Sequence, residues 1–293
     1  MFGNLTLGRP MGIRVAIHWT FWLLPLFVLL SDLGSIGAAG AGFNIAVLFA
    51  VFGCVALHEL GHAAAARLFG IGTRDIVLYP LGGVASLERM PRNPLQEIVI
   101  ALAGPAVNVV IALGLGGLLV LNSASPLSSL EVTRAAQFVD RLLWANVILV
   151  AFNMLPAFPM DGGRVLRAFL ALFLPRVRAT EIAVSVGTMF AVLFGAIGLL
   201  SFMGIIPGPP MLLILAVFLF LTGQAEQHGV RQEEGERDRE RFRGVRLGWP
   251  YRFGNPVMAD VPVDGWVFDA GTRMWTKWEN GVSVARYRNP ERG

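Results

Sequence analysis

The sequence predicts an all-α polytopic membrane protein with six transmembrane helices, a small membrane-associated β segment and a small β-rich cytoplasmic C-terminal appendage. Of the 293 residues, 55% are hydrophobic and only 15% are charged, whereas about a quarter of the residues are charged in a typical soluble protein. The mean hydropathy is +0.61. Six apolar stretches approach the roughly 20 residues that a helix needs to cross the hydrocarbon core of a bilayer. They lie near 15–33, 43–69, 95–121, 136–155, 179–203 and 209–226.

The positions of the arginines predict the orientation of these spans, because short cytoplasmic loops carry an excess of basic residues. If the N-terminus is inside, the cytoplasmic loops contain Arg9, Arg14, Arg74, Arg89, Arg92, Arg164, Arg167, Arg176 and Arg178. The opposite loops contribute only Arg134. We therefore expect a multi-pass protein of the cell membrane with both termini in the cytoplasm. The lipid bilayer is its expected environment, and no nucleic-acid partner is expected.

Three regions are expected along the chain: a membrane core over 1–226, a charged linker over 227–246 and a β-rich tail over 247–293. The linker carries many charges of both signs, which is typical of a solvated helix or spacer. In the tail, aromatic and β-branched residues alternate with polar ones, and the pair Asn280-Gly281 is a hairpin signal. A two-stranded hairpin is marginally stable alone. The tail is therefore expected to pack on the core, on a second copy in a homodimer or on a soluble partner; a disordered tail is the alternative.

Two segments inside the core have an irregular pattern. Residues 71–94 contain short β-prone runs, the pair Gly82-Gly83 and three prolines, which predicts strands and turns. After Asn153, two prolines interrupt the helical pattern and two glycines loosen it. Irregular backbone at membrane depth is tolerated only where it is buried in protein or lines a wet cavity. Both segments are therefore candidates for lining a functional site.

Two histidines and a glutamate lie within the second apolar stretch. His58 and His62 are four residues apart, so on a helix they share one face and suit two nitrogen ligands of one zinc, with Glu59 as general base. The HExxH pattern is weak evidence in a soluble protein, but ionisable groups within a membrane span are costly and usually functional. A hydrolytic zinc has three protein ligands. The third is expected to be Asp161, the only acidic residue of the second irregular segment.

Asp161 has a second interpretation, as the N-cap of the helix that follows it. The two roles are compatible, because a capping position holds a carboxylate in a fixed direction. Asn108 and Asn153 place polar amides in apolar spans, where each is expected either to orient substrate or an oxyanion or to bind one helix to another. Gly82 and Gly83 belong to a segment that is expected to pair with an extended substrate strand.

Four motifs in this chain resemble those of the site-2 proteases, which are intramembrane zinc metalloproteases. They are HELGH within a span, YPLGGVASLE after it, ALAGPAVN at the start of the third span, and NMLPAFPMDGGRVLRA. The resemblance covers about residues 5–226, and its small departure is Met160, where the family most often has leucine. It implies one zinc per chain held by His58, His62 and Asp161, with Glu59 as the base. It also implies regulated intramembrane proteolysis, in which the substrate is a transmembrane protein.

Two alternatives come from other functional classes: a non-catalytic membrane protein that binds client helices, and a metal transporter. A transporter is expected to carry ionisable residues along several spans, whereas here the histidines and the acidic residue gather in two segments. A protein that only binds helices would usually have lost the base, yet Glu59 is present. Catalysis is therefore the favoured expectation.

Overall fold

The fold was examined in a computed structural model, which describes residues 4–80, 82–89, 91, 93–123, 130–242, 265–269, 274–279 and 282–288. The chain forms two compact units, residues 1–230 and residues 231–293. The described part of the chain is mainly helical. Its α-helices are α1 (Leu23–Leu33), α2 (Gly37–Leu68), α3 (Pro94–Ser123), α4 (Leu130–Asn153), α5 (Asp161–Leu170), α6 (Arg176–Phe202) and α7 (Leu212–Phe242).

Five of these helices are long and apolar enough to cross a membrane, which confirms the prediction of a helical, polytopic membrane protein. The stretches that meet this requirement are Gly37–Leu68, Pro94–Leu121, Arg134–Asn153, Arg176–Phe202 and Leu212–Arg237. Each overlaps one of the last five apolar stretches of the sequence. A helix that crosses a bilayer needs about 20 predominantly apolar residues, and each of these five helices meets that requirement.

The predicted first span, residues 15–33, differs from the structure. A strand, β2, covers Arg14–Ile17, a short 3-10 helix covers Trp19–Trp22, and only then does α1 begin. The helical part, Trp19–Leu33, rises about 22 Å at 1.5 Å per residue, less than the roughly 30 Å of the hydrocarbon core. Residues 14–17 are extended because they pair with a strand that is distant in sequence, which hydropathy alone does not reveal.

The core unit contains a four-stranded sheet in the order β1-β2-β3-β4. Its strands are β1 (Leu5–Gly8), β2, β3 (Thr73–Tyr79) and β4 (Gly82–Leu87). The strands β3 and β4 form the β segment that the sequence predicts, and the N-terminal strands enlarge it. β2 pairs with β3 in parallel, while the other two pairings are antiparallel. β2 leads into α1, and β3 follows α2, so both ends of the α1–α2 hairpin are at the sheet.

The sheet and the helix α3 pack against the C-terminal half of α2. Ile76 on β3 is fully buried in a cluster with Val15 and Ala63. A second cluster joins Ala66 on α2 to Ile100 on α3. Small alanines on α2 let the sheet and α3 approach closely, and this places both of them beside the histidine-bearing turn of α2.

The break after α4 is compact. Turns connect Asn153 to α5, and the peptide bond between Phe158 and Pro159 is cis. A Cβ atom added to Gly162 would lie 2.4 Å from the carbonyl oxygen of Leu155, and one added to Gly163 would lie 2.7 Å from the backbone of Ala157. The sequence reading that these glycines loosen the helix is therefore wrong. They belong to α5 and allow the preceding turns to pack directly against its first turn.

In the C-terminal unit, α7 continues through the charged segment as far as Phe242, so the linker is helical where it is described. Beyond it, β5 (Gly265–Asp269), β6 (Met274–Glu279) and β7 (Val282–Arg288) form an antiparallel sheet in that order. The expected turn residues Asn280 and Gly281 lie outside the described residues. The pairing of Glu279 with Val282 flanks them.

Candidate metal centre

Three side chains from two distant segments converge at one point inside the core unit. His58 and His62 lie on one face of α2, and Asp161 is the first residue of α5. The two histidine Nε2 atoms are 3.0 Å apart, and each lies 3.1 Å from Oδ2 of Asp161. All three residues are buried. The structure thus brings together the three residues that the sequence singles out as metal ligands.

The other nitrogen of each imidazole ring faces an oxygen acceptor. Nδ1 of His62 lies 2.7 Å from the backbone oxygen of Ile100, and Nδ1 of His58 lies 2.8 Å from Oδ1 of Asn108. Both acceptors are on α3. An imidazole that donates from Nδ1 keeps a lone pair on Nε2, which is the arrangement of a histidine that binds metal.

The main chain of α3 approaches the two histidines most closely at Gly104. A Cβ atom built there would lie 2.3 Å from Nε2 of His62 and 2.7 Å from Nε2 of His58. Any other residue at this position would therefore intrude on the donor atoms. The absence of a side chain leaves the space into which both histidines point.

Asp161 reaches the histidines because α5 begins at that residue. The N-cap position is held by Met160, whose backbone is extended, and no side chain caps this helix end. The capping role that the sequence allows for Asp161 is therefore not seen. Its carboxylate instead lies in the first turn of α5, where the positive end of the helix dipole favours a negative charge.

Glu59 follows His58 on α2 and is half-buried between the centre and the sheet. It packs against the backbone of β4: a Cβ atom added to Gly83 would lie 2.6 Å from Cγ of Glu59. The neighbouring Gly82 has a φ of 141°, which L-amino acids other than glycine rarely adopt. The two glycines therefore bring the edge strand of the sheet against the carboxylate.

The two asparagines from the sequence analysis have different surroundings. Asn108 is fully buried, and its amide nitrogen donates to Oδ1 of Asn146 on α4 over 3.0 Å. Both ends of its carboxamide thus bind protein groups. Asn153 is the half-buried last residue of α4, and the described part of the chain contains no hydrogen bond from its side chain.

The structure adds two features that the sequence analysis did not identify. One is Asn146, a buried amide that is the one polar residue of the apolar run 142–152 in α4, the same signal that marks Asn108 in α3. The other is Arg167 on α5, which is 1% exposed and forms salt bridges with Glu97 on α3 and Glu226 on α7. Arg167 was assigned to a cytoplasmic loop from its charge alone. Its partners are 70 and 59 residues away.

The donor atoms fit zinc. Three ligand atoms bound to one tetrahedral zinc at about 2.0 to 2.1 Å lie roughly 3.3 to 3.4 Å from one another, close to the 3.0–3.1 Å separations found here. Two nitrogens and one carboxylate oxygen are one of the ligand sets that catalytic zinc sites use. A bound ion also requires imidazoles that donate from Nδ1 and space next to their Nε2 atoms, and the acceptors on α3 and Gly104 meet these two requirements.

Comparison with protein families and with known proteins shows what this chain is similar to. The model of Peptidase family M50 matches residues 46–134 and 115–194. The chain is 32% identical to zinc metalloprotease MJ0392 of Methanocaldococcus jannaschii over 78% of its own length and 62% of that protein. It is 29% identical to the putative zinc metalloprotease Rip3 of Mycobacterium tuberculosis, over 83% and 62% of the two lengths. The chain thus spans about three fifths of the length of these relatives.

A solved structure is also similar to this chain. The site-2 protease from Methanocaldococcus jannaschii matches with a TM-score of 0.54 and 29% sequence identity. The match covers 77% of this chain and 95% of the other chain. The shared fold therefore extends over about three quarters of this chain.

Proposed function

The chain belongs to peptidase family M50, and from this we propose that it is an intramembrane zinc metalloprotease of the site-2 type. Its substrate would be a transmembrane segment of another membrane protein, as in regulated intramembrane proteolysis. One observation carries this proposal: His58, His62 and Asp161 converge within 3.1 Å of one another next to Glu59, in a chain with five described helices that are long and apolar enough to cross a membrane.

The three converging residues would hold one zinc per chain. When bound, zinc polarises a carbonyl oxygen and lowers the pKa of water to about 7. The residues of this chain hold the ligands in place. Ile100 and Asn108 orient the two imidazoles, and the start of α5 fixes the carboxylate of Asp161.

Glu59 would be the general base. It accepts a proton from the attacking water, whose oxygen bonds to the scissile carbonyl carbon, and then gives that proton to the nitrogen of the leaving amine as the C–N bond breaks. Glu59 is suited to this role because it adjoins a metal ligand and is half-buried beside the edge strand.

Substrate would bind along β4. A transmembrane helix hides its amides in its own hydrogen bonds, so it has to unwind before its peptide bonds become accessible. β4 is the edge strand in the order of the described sheet, and an extended peptide that adds to an edge is held mainly by main-chain hydrogen bonds. Gly82 and Gly83 would let that peptide lie next to Glu59. Asn153 would supply a further amide for orienting it, since its side chain is half-buried near the break before α5.

The chain would cross the membrane six times, with α1 as the first crossing. α1 is short, but it packs on α2 and joins it through residues 34–36, so it ends level with the start of a helix of 32 residues. The parallel pairing of β2 with β3 supports a common side for both ends of the hairpin. An even number of crossings places both termini on the arginine-rich, cytoplasmic side of the cell membrane.

The C-terminal unit would serve as a contact surface for a soluble partner or for a second copy of the chain. The pairing of β5, β6 and β7 supports a formed sheet rather than a disordered tail. Small sheets usually need an apolar face that packs against something, and the alternation of aromatic and polar residues in the tail sequence supports such a face.

The proposal is tested by separating zinc content from cleavage. Purified in detergent, the wild-type protein should contain about one zinc per chain, and His58→Ala, His62→Ala and Asp161→Ala should lose it. Glu59→Gln should keep zinc, lose cleavage and retain bound clients, which mass spectrometry identifies. The matched control is Glu88→Gln, which removes an exposed carboxylate outside the centre and should cleave these clients normally. Equal cleavage by Glu59→Gln and the wild type would rule out this mechanism.

A further inference from the structure

A chain of buried amides leads from the backbone of α4 to one of the metal-site histidines. The amide nitrogen of Asn146 donates to the carbonyl oxygen of Leu142 over 2.8 Å and lies 3.4 Å from Sγ of Cys54. Oδ1 of Asn146 accepts from Nδ2 of Asn108 over 3.0 Å, and Oδ1 of Asn108 faces Nδ1 of His58 at 2.8 Å. Both asparagines have no exposed surface.

The backbone carbonyl of Leu142 on α4 determines which group donates and which accepts in each hydrogen bond of this series, called the amide relay below. A backbone carbonyl can only accept, so the Asn146 nitrogen has to face Leu142, and its oxygen then has to face α3. Asn108 must therefore turn its nitrogen toward Asn146 and its oxygen toward His58. The acceptor next to Nδ1 makes this nitrogen the donor, and in the neutral ring the lone pair is then on Nε2.

His62 needs no such relay. Its Nδ1 faces the backbone oxygen of Ile100 directly. A backbone carbonyl oxygen can only accept a hydrogen bond, so Nδ1 of His62 has to donate. The carboxamide of Asn108, in contrast, can rotate by half a turn and present its nitrogen to His58. Such a rotation would favour the tautomer with its hydrogen on Nε2, which cannot bind metal. The tautomer of His58 therefore depends on the group that fixes the carboxamide of Asn108.

We propose that Asn146 is a positioning residue that fixes the carboxamide of Asn108, and through it the metal-binding tautomer of His58. The inference rests on the proposed zinc site. It assigns Asn108 to the support of a ligand rather than to substrate or an oxyanion. Asn146 acts through Asn108 and touches neither histidine.

The test uses the full chain in detergent with zinc as the probe. Asn146→Leu removes the whole amide, whereas Asn146→Ser keeps a hydroxyl that can donate to the carbonyl of Leu142 but is too short to hold Asn108. Loss of an outer-shell partner typically weakens metal affinity by about 10- to 100-fold. We expect roughly 10-fold weaker zinc binding in both variants, and at least that in Asn108→Leu.

Two further measurements distinguish a positioning role of Asn146 from a general loss of structure. Zinc affinity in the double variant Asn108→Leu/Asn146→Leu should equal that of Asn108→Leu, because Asn146 acts only through Asn108. In the zinc-free protein, nitrogen NMR of the imidazoles should show a mixture of His58 tautomers in Asn146→Leu and Asn146→Ser, with His62 unchanged. The control is Asn44→Leu, which removes an amide that joins Asp32 to Arg141 away from the centre and should alter neither reading.

The proposal is overturned if the Asn146 variants retain the wild-type tautomer of His58, or if the losses in zinc affinity of Asn108→Leu and Asn146→Leu add. Failure of the wild-type protein to bind zinc would instead contradict the proposed function. The tautomer reading needs no metal, so it decides the role of Asn146 in that case too.

Discussion

Gly104 on α3 lies directly beneath His62 on α2, so closely that a Cβ atom at position 104 would be 2.3 Å from Nε2 of the histidine. Two apolar helices usually meet through their side chains, at about 8 to 10 Å between axes. Here a backbone without a side chain lies against two functional groups. The close contact gives the imidazoles a rigid floor and leaves room for an ion above it.

Replacement of Gly104 by alanine should therefore remove the zinc site while leaving the fold intact. The added methyl group would displace Nε2 of both histidines, and we expect zinc affinity to fall by at least about 10-fold, since even indirect supports of a ligand contribute that much. Equilibrium dialysis with zinc measures the loss. The control is Gly114→Ala on the same helix, where an added Cβ atom meets nothing within 4 Å. A full zinc complement in Gly104→Ala would contradict this account of the site.

Gly83→Ala should separate cleavage from metal binding in the opposite way. The new Cβ atom would lie 2.6 Å from Cγ of Glu59, so the carboxylate has to move while the three ligands stay in place. A displacement of about 1 Å at a reacting group can reduce the rate by about 100-fold. Zinc content should remain normal and client cleavage should fall by that order. Gly116→Ala on α3, where an added Cβ atom meets nothing within 4 Å, should cleave at the normal rate; equal rates in the two variants would exclude contact between the strand and the base.

Loss of Arg167 should destabilise the core unit. Arg167 is 1% exposed, its Nε donates to Glu97 over 2.9 Å, and its guanidinium also pairs with Glu226. Removing one partner of a buried ion pair leaves an uncompensated charge, which costs about 3 to 5 kcal/mol. Arg167→Met should lower the free energy of unfolding by that amount, as measured by denaturant titration in micelles.

Two variants test whether the buried charge is the cause of this loss. The double variant Arg167→Met/Glu97→Gln should recover part of the stability, because the carboxylate of Glu97 no longer lacks a partner. Arg237→Gln removes a half-exposed arginine that pairs with Glu233 and Glu234, and it should cost no more than about 1 kcal/mol. Similar losses of unfolding free energy in Arg167→Met and Arg237→Gln would show that burial of the ion pairs of Arg167 adds no stability.

Labelling of single cysteines should report an even number of crossings. In a Cys54→Ala background, the cysteines of Leu7→Cys and Gln232→Cys should react with an impermeant reagent from the cytoplasm. The cysteine of Ser35→Cys should react from outside. All three positions are exposed. The expectation follows from the pairing of β2 with β3, which holds both ends of the α1–α2 hairpin at one sheet. Labelling of Leu7 and Gln232 from opposite sides would show that α1 does not cross.

The sequence alone determined what depends on local composition and spacing. Hydropathy predicted five apolar stretches, each of which overlaps a long helix of the structure, because an apolar run of that length has little alternative in a membrane. The four-residue spacing of His58 and His62 fixed their common face on α2 for the same local reason. Asp161 could be singled out because it is the only acidic residue of the irregular segment after Asn153.

The tertiary structure decided what depends on contacts between distant segments. Residues 14–17 are a strand because β3, some 60 residues later, offers a parallel partner, and their hydropathy is equally compatible with a span. Asn146 and Arg167 look in sequence like an isolated polar residue and a loop cation. They acquire roles only through Asn108 on α3 and through Glu97 and Glu226 on two other helices. Hydrogen bonds and ion pairs depend on the position of both partners, and a single stretch of sequence contains only one of them.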